Sequence, residues 1–299
     1  MNLTQKANER YAGLQNLRNE QRPDPVVTGN AQLDDLYIPR KGYPLFVAGA
    51  PHHGKSLFLK WLLTCWSERH QWKHFVYMGE EGSVDELILD FCELYVQKPA
   101  RRVDWRGKEQ DHMTDTEFEV AVRWVNDHFT FFDGDAVGDS GFTPDLFYAT
   151  AADLQVDTTV IDPWNDVARD LRNVGGREDV WLTEELRKVR LHSAKHDRVD
   201  IICNHIAKLN ADATTLGGKR YQKPALPQEW AGGQAWYRRA FTMLLVYRPP
   251  VDQIMREGEP IIQDGETWII NQKSKPKGTG RLGTAKLRLN RQTNHLEDI

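Results

Sequence analysis

Cysteine is scarce in this chain of 299 residues: Cys65, Cys92 and Cys203 stand far apart and form no C-x-x-C pair. That spacing suggests neither a disulfide framework nor a zinc site. Each is expected as a small hydrophobe in a reducing compartment. No run of about 18 apolar residues occurs, so no membrane-spanning helix is expected. The N-terminus has no secretory apolar core, and Glu9 and Glu20 argue against a mitochondrial transit peptide, so a cytoplasmic location is expected. Charge of one sign is not in excess either. The formal net charge is −4, so any nucleic-acid surface must be local. There is no internal repeat and no low-complexity tract.

What remains is ordinary globular composition, with 40% hydrophobic and 27% charged residues. A chain of this length can bury one large α/β domain with an appendage, or two smaller domains. The most informative stretch is Gly49-Ala50-Pro51-His52-His53-Gly54-Lys55-Ser56, which spells G-x-x-x-x-G-K-S/T. It follows the apolar run Leu45-Phe46-Val47-Ala48 and leads through Leu57 into a helical pattern. Glycines at these positions let backbone N–H groups close around phosphates, and the helix aims its positive dipole end at the same anion. Lys55 is placed for the β- and γ-phosphates and Ser56 for Mg²⁺. A bound nucleoside triphosphate is expected, ATP or another. No histidine chemistry is expected of His52 and His53, whose backbone would contact phosphate.

Residues 1–22 read as one amphipathic helix, because Leu3, Ala7, Tyr11, Leu14 and Leu17 recur every three or four positions before Pro23 and Pro25 stop it. Its stripe must bury itself on its own domain or on a neighbouring subunit. We take 1–25 as this helix and its linker, and 26–299 as the main domain. His74 to Met78, Thr130 to Phe132, Thr158 to Asp162, Asp200 to His205, Phe241 to Tyr247, Thr267 to Asn271 and Ala285 to Leu289 read as strands, with a hairpin-like segment over 259–264. Helices are expected from Ser83, from Thr114 to His128, from Thr143 and from Asp179 to His196. Alternating strands and helices predict an α/β fold with a mainly parallel sheet and ligands at the strand C-terminal ends.

Three acids and a histidine fall at those ends. Asp162 is placed for Mg²⁺ through water. Glu80 is placed as general base for an attacking water, with Glu81 its rival, since alternation along a strand points one of the two away. His205 precedes a long polar loop, 208–229, and suits a sensor of the γ-phosphate.

Taken in order, these motifs resemble the RecA-fold ATPase domain of DnaB-type hexameric replicative helicases, including their phage and Twinkle-like branch. The stretch 49–56 resembles that family's P-loop, Met78-Gly79-Glu80-Glu81 its glutamate motif, and Val160-Ile161-Asp162-Pro163-Trp164-Asn165 its Walker B. Asn204-His205-Ile206-Ala207-Lys208 resembles its strand-end motif, and Gln272-Lys273-Ser274-Lys275-Pro276-Lys277-Gly278-Thr279-Gly280 its KxR…GxxG element. The similarity covers about 26–299. It implies a RecA-like P-loop core and an active site shared between subunits of a ring. Lys55, Ser56, Glu80, Asp162 and His205 would come from one subunit, and Lys273 and Lys275 from the next. The family has Arg where Lys275 stands, and Lys lacks its planar fork, so Arg281 is a substitute.

By the same resemblance, single-stranded DNA would meet two loops. Arg169, Arg172 and Arg177 lie in the first, and Lys208, Lys219, Arg220 and Lys223 in the second. The N-terminal helix would dock on the adjacent subunit. The implied activity is a hexameric, NTP-driven helicase motor that unwinds duplex, with primase or other replication proteins as partners, in a bacterial or phage-infected cell. No primase, zinc-binding or all-helical N-terminal domain is recognisable, so a minimal helicase or a separated motor is expected. The alternative is a RecA-fold, DNA-stimulated ATPase of recombination-mediator or regulatory type without unwinding. A nucleotide-dependent scaffold is the third reading, and the intact set of Lys55, Glu80 and Asp162 counts against it.

Overall fold

The computed structural model describes residues 6–19, 24–104, 106–138, 141–207, 213–214, 218, 220–250 and 265–299. Leu3, Lys208, Lys219 and the segment 259–264, all named above, lie outside the described residues, as does the side chain of Leu17.

Eleven strands are present among the described residues. They are β1 (Leu45–Gly49), β2 (His74–Met78), β3 (Phe129–Phe131), β4 (Thr158–Asp162), β5 (Val199–His205), β6 (Ala213–Thr214), β7 (Arg220–Tyr221), β8 (Thr242–Tyr247), β9 (Glu266–Lys273), β10 (Gly283–Leu289) and β11 (Leu296–Asp298). The helices are α1 (Tyr11–Asn19), α2 (Ala31–Leu36), α3 (Lys55–His70), α4 (Val84–Val96), α5 (Asp115–His128), α6 (Pro144–Ala151), α7 (Glu178–His196) and α8 (Gln234–Arg239). Nine strands form one sheet in the order β11-β10-β9-β8-β1-β5-β4-β2-β3. From β8 to β3 the pairs are parallel; β9, β10 and β11 extend the sheet antiparallel. This is a mixed α/β fold with a mostly parallel central sheet flanked by helices.

Each central strand has helices on both faces, which is why β1 and β4 are buried throughout and β1 reads apolar without alternation. One core layer gathers Leu59, Trp66, Phe91 and Val125 of α3, α4 and α5 on one face. The other packs Phe147, Trp181, Leu186 and Trp236 of α6, α7 and α8 on the opposite face. Helix starts follow local chemistry. Ser83 with Glu86, and Thr114 with Glu117, close reciprocal capping boxes on α4 and α5. Thr143 caps α6, with Pro144 in its first turn.

The edges differ from expectation in detail. The third strand starts one residue early, at Phe129, and β11 follows the strand at 285–289 that the sequence suggests as the last. The short α2 and α8 and the small β6–β7 hairpin were not expected. At the N-terminus a 3-10 turn, Asn8–Arg10, leads into α1. Every described side chain from 6 to 19 is exposed, with Tyr11 at 62% and Leu14 at 48%.

Candidate functional site

The loop after β1 is shaped by contacts that only glycine permits. A Cβ at Gly49 would stand 2.6 Å from the Val246 carbonyl oxygen; one at Gly54, where φ is 81°, would stand 2.7 Å from Arg248 Nη2. The loop is thereby pressed against the end of β8. His53 ties the same two segments, since the Arg248 N–H donates to its Nδ1 at 3.4 Å and its ring meets Tyr247 edge-on. Burial, with Lys55 and Arg248 nearby, pushes the His53 pKa down to about 4. Pro51 and His52 are exposed, and Leu57 is half-buried in the first turn of α3.

Lys55 is buried, and its Nζ donates to the Ala50 carbonyl at 3.3 Å. The Ser56 hydroxyl lies beside two carboxyls, those of Asp162 and Glu81. Burial raises the Asp162 pKa against the opposing pull of Cys203, Ser56 and Lys55, and its Oδ2 is buried without a hydrogen-bond partner. For Glu81, burial also pushes upward, but Lys60 and Ser56 outweigh it and the net shift is down. A glycine-lined cradle, a buried ammonium, and an unpartnered carboxylate oxygen beside a hydroxyl fit a nucleoside triphosphate with Mg²⁺.

The two glutamates lie in the turn after β2, beyond the strand's alternation, and face different partners. Glu81 turns to Lys60 on α3, whose ammonium also binds Asp90. Glu80 is largely exposed, and its Oε1 lies 3.4 Å from His205 Nε2. The structure thus brings Lys55, Ser56, Asp162, Glu80, Glu81 and His205 to one end of the sheet. Sequence reasoning missed Lys60 and Asp166. Asp166 accepts a 3.0 Å hydrogen bond from the Tyr77 hydroxyl and lies in the field of both Glu80 and His205. Lys60 follows Ser56 by one helical turn, the only sequence signal for it.

The basic segment after β9 is elsewhere. Lys273 pairs with Met243, which is level with Phe46 of β1, and β9 runs antiparallel to β8. The chain therefore leaves β9 away from the P-loop. Ile38 N–H then bonds the Thr279 carbonyl at 3.0 Å, and Tyr37 pairs with Gly280 and meets Trp66, late in α3, at a tilt with centroids 6.5 Å apart. From Lys55 to Trp66 α3 rises about 16 Å. Within this chain, the P-loop and this segment occupy opposite ends of the sheet. Lys273 donates to the Tyr237 carbonyl and sits over its ring. Arg281 is bound to Asp35, with Nε to Oδ2 at 2.7 Å. Lys275 is exposed and makes no ion pair among the described residues.

In the first loop, each arginine has a local acid: Arg169 with Glu178, Arg172 with Asp170 at 2.8 Å, and Arg177 with Asp179 at 2.8 Å. Arg220 and Lys223 are exposed in and just after β7. Among the described residues, no group of three or more His, Cys, Asp or Glu side chains is arranged to hold a metal, and no helix is long and apolar enough to cross a membrane.

This fold, with a P-loop between β1 and α3 and acids at the ends of neighbouring strands, is that of RecA-like helicase and recombinase ATPase domains. One solved ATPase domain superposes with a TM-score of 0.72 at 13% identity, over 98% of this chain and 99% of that one. A DnaB-like replicative helicase, solved with its interactions with primase, gives 0.70 at 12% identity, over 99% of this chain and 68% of that one. The RadB recombinase gives 0.53 at 16%, over 92% and 99%. No family model matches the chain. The Twinkle homolog protein of Arabidopsis thaliana, chloroplastic/mitochondrial, is 29% identical over 175 residues, which is 57% of this chain and 24% of that protein. The match therefore spans about a quarter of the curated relative. The structural likenesses, all at 16% identity or below, show the fold, and the Twinkle match agrees with the DnaB-type resemblance of the motifs.

Proposed function

We propose that this chain is the motor domain of a ring-forming DNA helicase. It hydrolyses ATP or another nucleoside triphosphate at subunit interfaces and moves on single-stranded DNA. The observation that carries the reading is the Ser56 hydroxyl set between Asp162 and Glu81, beside a buried Lys55 and an unpartnered Asp162 oxygen. Ser56 and, through water, Asp162 would hold Mg²⁺, which supplies positive charge against the β- and γ-phosphates.

Lys55 exchanges its bond to the Ala50 carbonyl for phosphate oxygens, and the loop 49–56 offers its N–H groups with the dipole of α3 behind them. Glu80 orients the attacking water and takes its proton. That assignment is supported by Glu81 being engaged with Lys60, while Glu80 stays exposed beside His205. His205 can bond either the carboxylate or a γ-phosphate oxygen, so it senses which is present. Lys275 serves the next subunit's site, because its own P-loop is at the far end of the sheet; Arg281 and Lys273 stay in their own subunit as props. Positive charge set against the negatively charged transferring phosphoryl group is the main demand of this chemistry, and a point charge meets it in part.

Arg169, Arg172, Arg177, Arg220 and Lys223, with Lys208 and Lys219, would track a DNA backbone, which needs local charge and little base readout. A hexamer, docking of residues 1–25 on the adjacent subunit, primase or other replication partners, and a cytoplasmic setting belong to the same proposal. The exposed Tyr11 and Leu14 are what such docking would cover. A forked-duplex unwinding assay with tails of both polarities, run beside DNA-stimulated ATPase, tests it. Unwinding that requires Lys55 is expected. ATPase without unwinding would instead favour a DNA-stimulated ATPase of recombinase type, a reading to which the RadB likeness lends weight.

A further inference from the structure

The residues between the glutamate and the first loop form a contact that nucleotide binding does not require. Tyr77 is the penultimate residue of β2, and its hydroxyl donates to Asp166 Oδ2 at 3.0 Å, across 89 positions of sequence. Asp166 is the first residue of the loop 166–177, which carries Arg169, Arg172 and Arg177. Gly79, immediately before Glu80, lies directly on this hydrogen bond. A Cβ there would stand 2.1 Å from the Tyr77 hydroxyl and 2.7 Å from Asp166 Oδ2.

The Tyr77 ring is fixed by edge contacts with Phe142, at 4.5 Å between centroids, and Phe132, at 6.2 Å. The loop is tied to the same wall, since the Ala168 N–H donates to the Phe142 carbonyl at 2.8 Å. The Asp166 carboxyl lies in the field of Glu80 and His205, the pair that meets at 3.4 Å. Movement of Asp166 therefore shifts the backbone that carries Glu80.

We propose that Asp166, held by Tyr77, is a positioning residue that transmits the state of the 166–177 loop to Glu80. Gly79 is the point at which the two segments touch. This rests on the reading above, in which Glu80 activates water and the loop meets DNA. When a DNA phosphate draws the loop arginines away from their local acids, Asp166 shifts. The Glu80 side chain then exchanges contact with His205 for contact with water.

The test uses the full chain with Tyr77→Phe, Asp166→Ala and Asp166→Asn, the last keeping an acceptor for the Tyr77 hydroxyl. Nucleotide affinity, KM for ATP, single-strand affinity, basal kcat and DNA-stimulated kcat are measured for each. For Tyr77→Phe and Asp166→Ala, stimulation by single-stranded oligonucleotide should fall about five- to tenfold, with KM and both affinities unchanged. Asp166→Asn should recover most of the stimulation. Full stimulation in Tyr77→Phe would overturn this inference alone. Joint loss of nucleotide affinity and both rates would reduce the contact to a structural one. A wild-type protein without DNA-stimulated turnover, or undiminished turnover in Glu80→Gln, would take down the parent reading as well.

Discussion

Lys60 holds Glu81 at 2.6 Å, one turn into the helix that begins at the P-loop, and the same ammonium binds Asp90 at 2.5 Å. Lys60 is almost fully buried, and its two acids hold its pKa above the usual value against desolvation. Glu81→Gln removes one of these charges and is expected to cost about 1–3 kcal/mol in stability while leaving appreciable turnover. Glu80→Gln should leave the melting temperature in place and lower kcat by about a hundredfold to ten-thousandfold. Thermal melts and steady-state ATPase on the two variants separate them. The reverse pattern would make Glu81 the base.

The pH dependence of the P-loop should report His53. Its folded pKa of about 4 lies below the usual value of 6.5, so the unfolded chain binds a proton that the native protein does not. Its contribution is thus present above the unfolded value and is lost as pH falls from about 6.5 towards 4. His53→Gln removes this titration while keeping a polar side chain. The stability gap between wild type and His53→Gln, measured by urea unfolding, should narrow between pH 7 and pH 4.5. A constant gap would mean the histidine is solvated.

If Lys275 serves the neighbour and subunits act in turn around a ring, Lys275→Ala subunits mixed into wild type should poison ATPase more than in proportion to their fraction, because one disabled site stalls the rest. Arg281→Ala should be far milder, since Asp35 engages that guanidinium. Mixing Lys275→Ala with Lys55→Ala subunits should restore part of the ATPase, and no recovery would place the lysine outside the neighbour's active site. A severe Arg281→Ala defect, poisoning in trans, would move the finger to that position.

Arg172 and Arg177 each exchange a carboxylate for a phosphate if the first loop meets DNA. Alanine at either position should weaken single-strand binding evenly across sequences and lower the salt slope by about 0.7. Nucleotide affinity should stay unchanged in both. Fluorescence anisotropy over a salt series reads the slope, and an unaltered slope would assign these arginines to Asp170 and Asp179 alone.

The parallel core was legible because doubly covered strands read as unbroken apolar runs, as in Leu45-Phe46-Val47, and the P-loop was legible because its chemistry is local. The capping box at Ser83 was visible for the same reason, as was the helix start at Thr114. The six-residue α2 was not. It rests on Asn30 capping the Leu33 N–H and on Asp34 binding Thr28, with too few residues to show a period. Contacts between distant segments escaped as well. Nothing local ties Tyr77 to Asp166, or Arg281 to Asp35 across 246 positions. The acids that pair with the loop arginines were in plain view, yet charge pairing depends on side-chain direction, which loop sequence does not encode.

The separation of Lys275 from its own P-loop has a counting consequence. A subunit that donates at one end of its sheet and accepts at the other makes a heterologous contact, not a two-fold one. A closed ring then has as many complete sites as subunits, whereas an open chain always leaves one site incomplete. On the proposed donation by Lys275 to the next subunit, a pair of subunits would own a single working site. Turnover per subunit should therefore rise with each added member and step upward once more at closure, so specific activity against concentration reads the topology of the assembly.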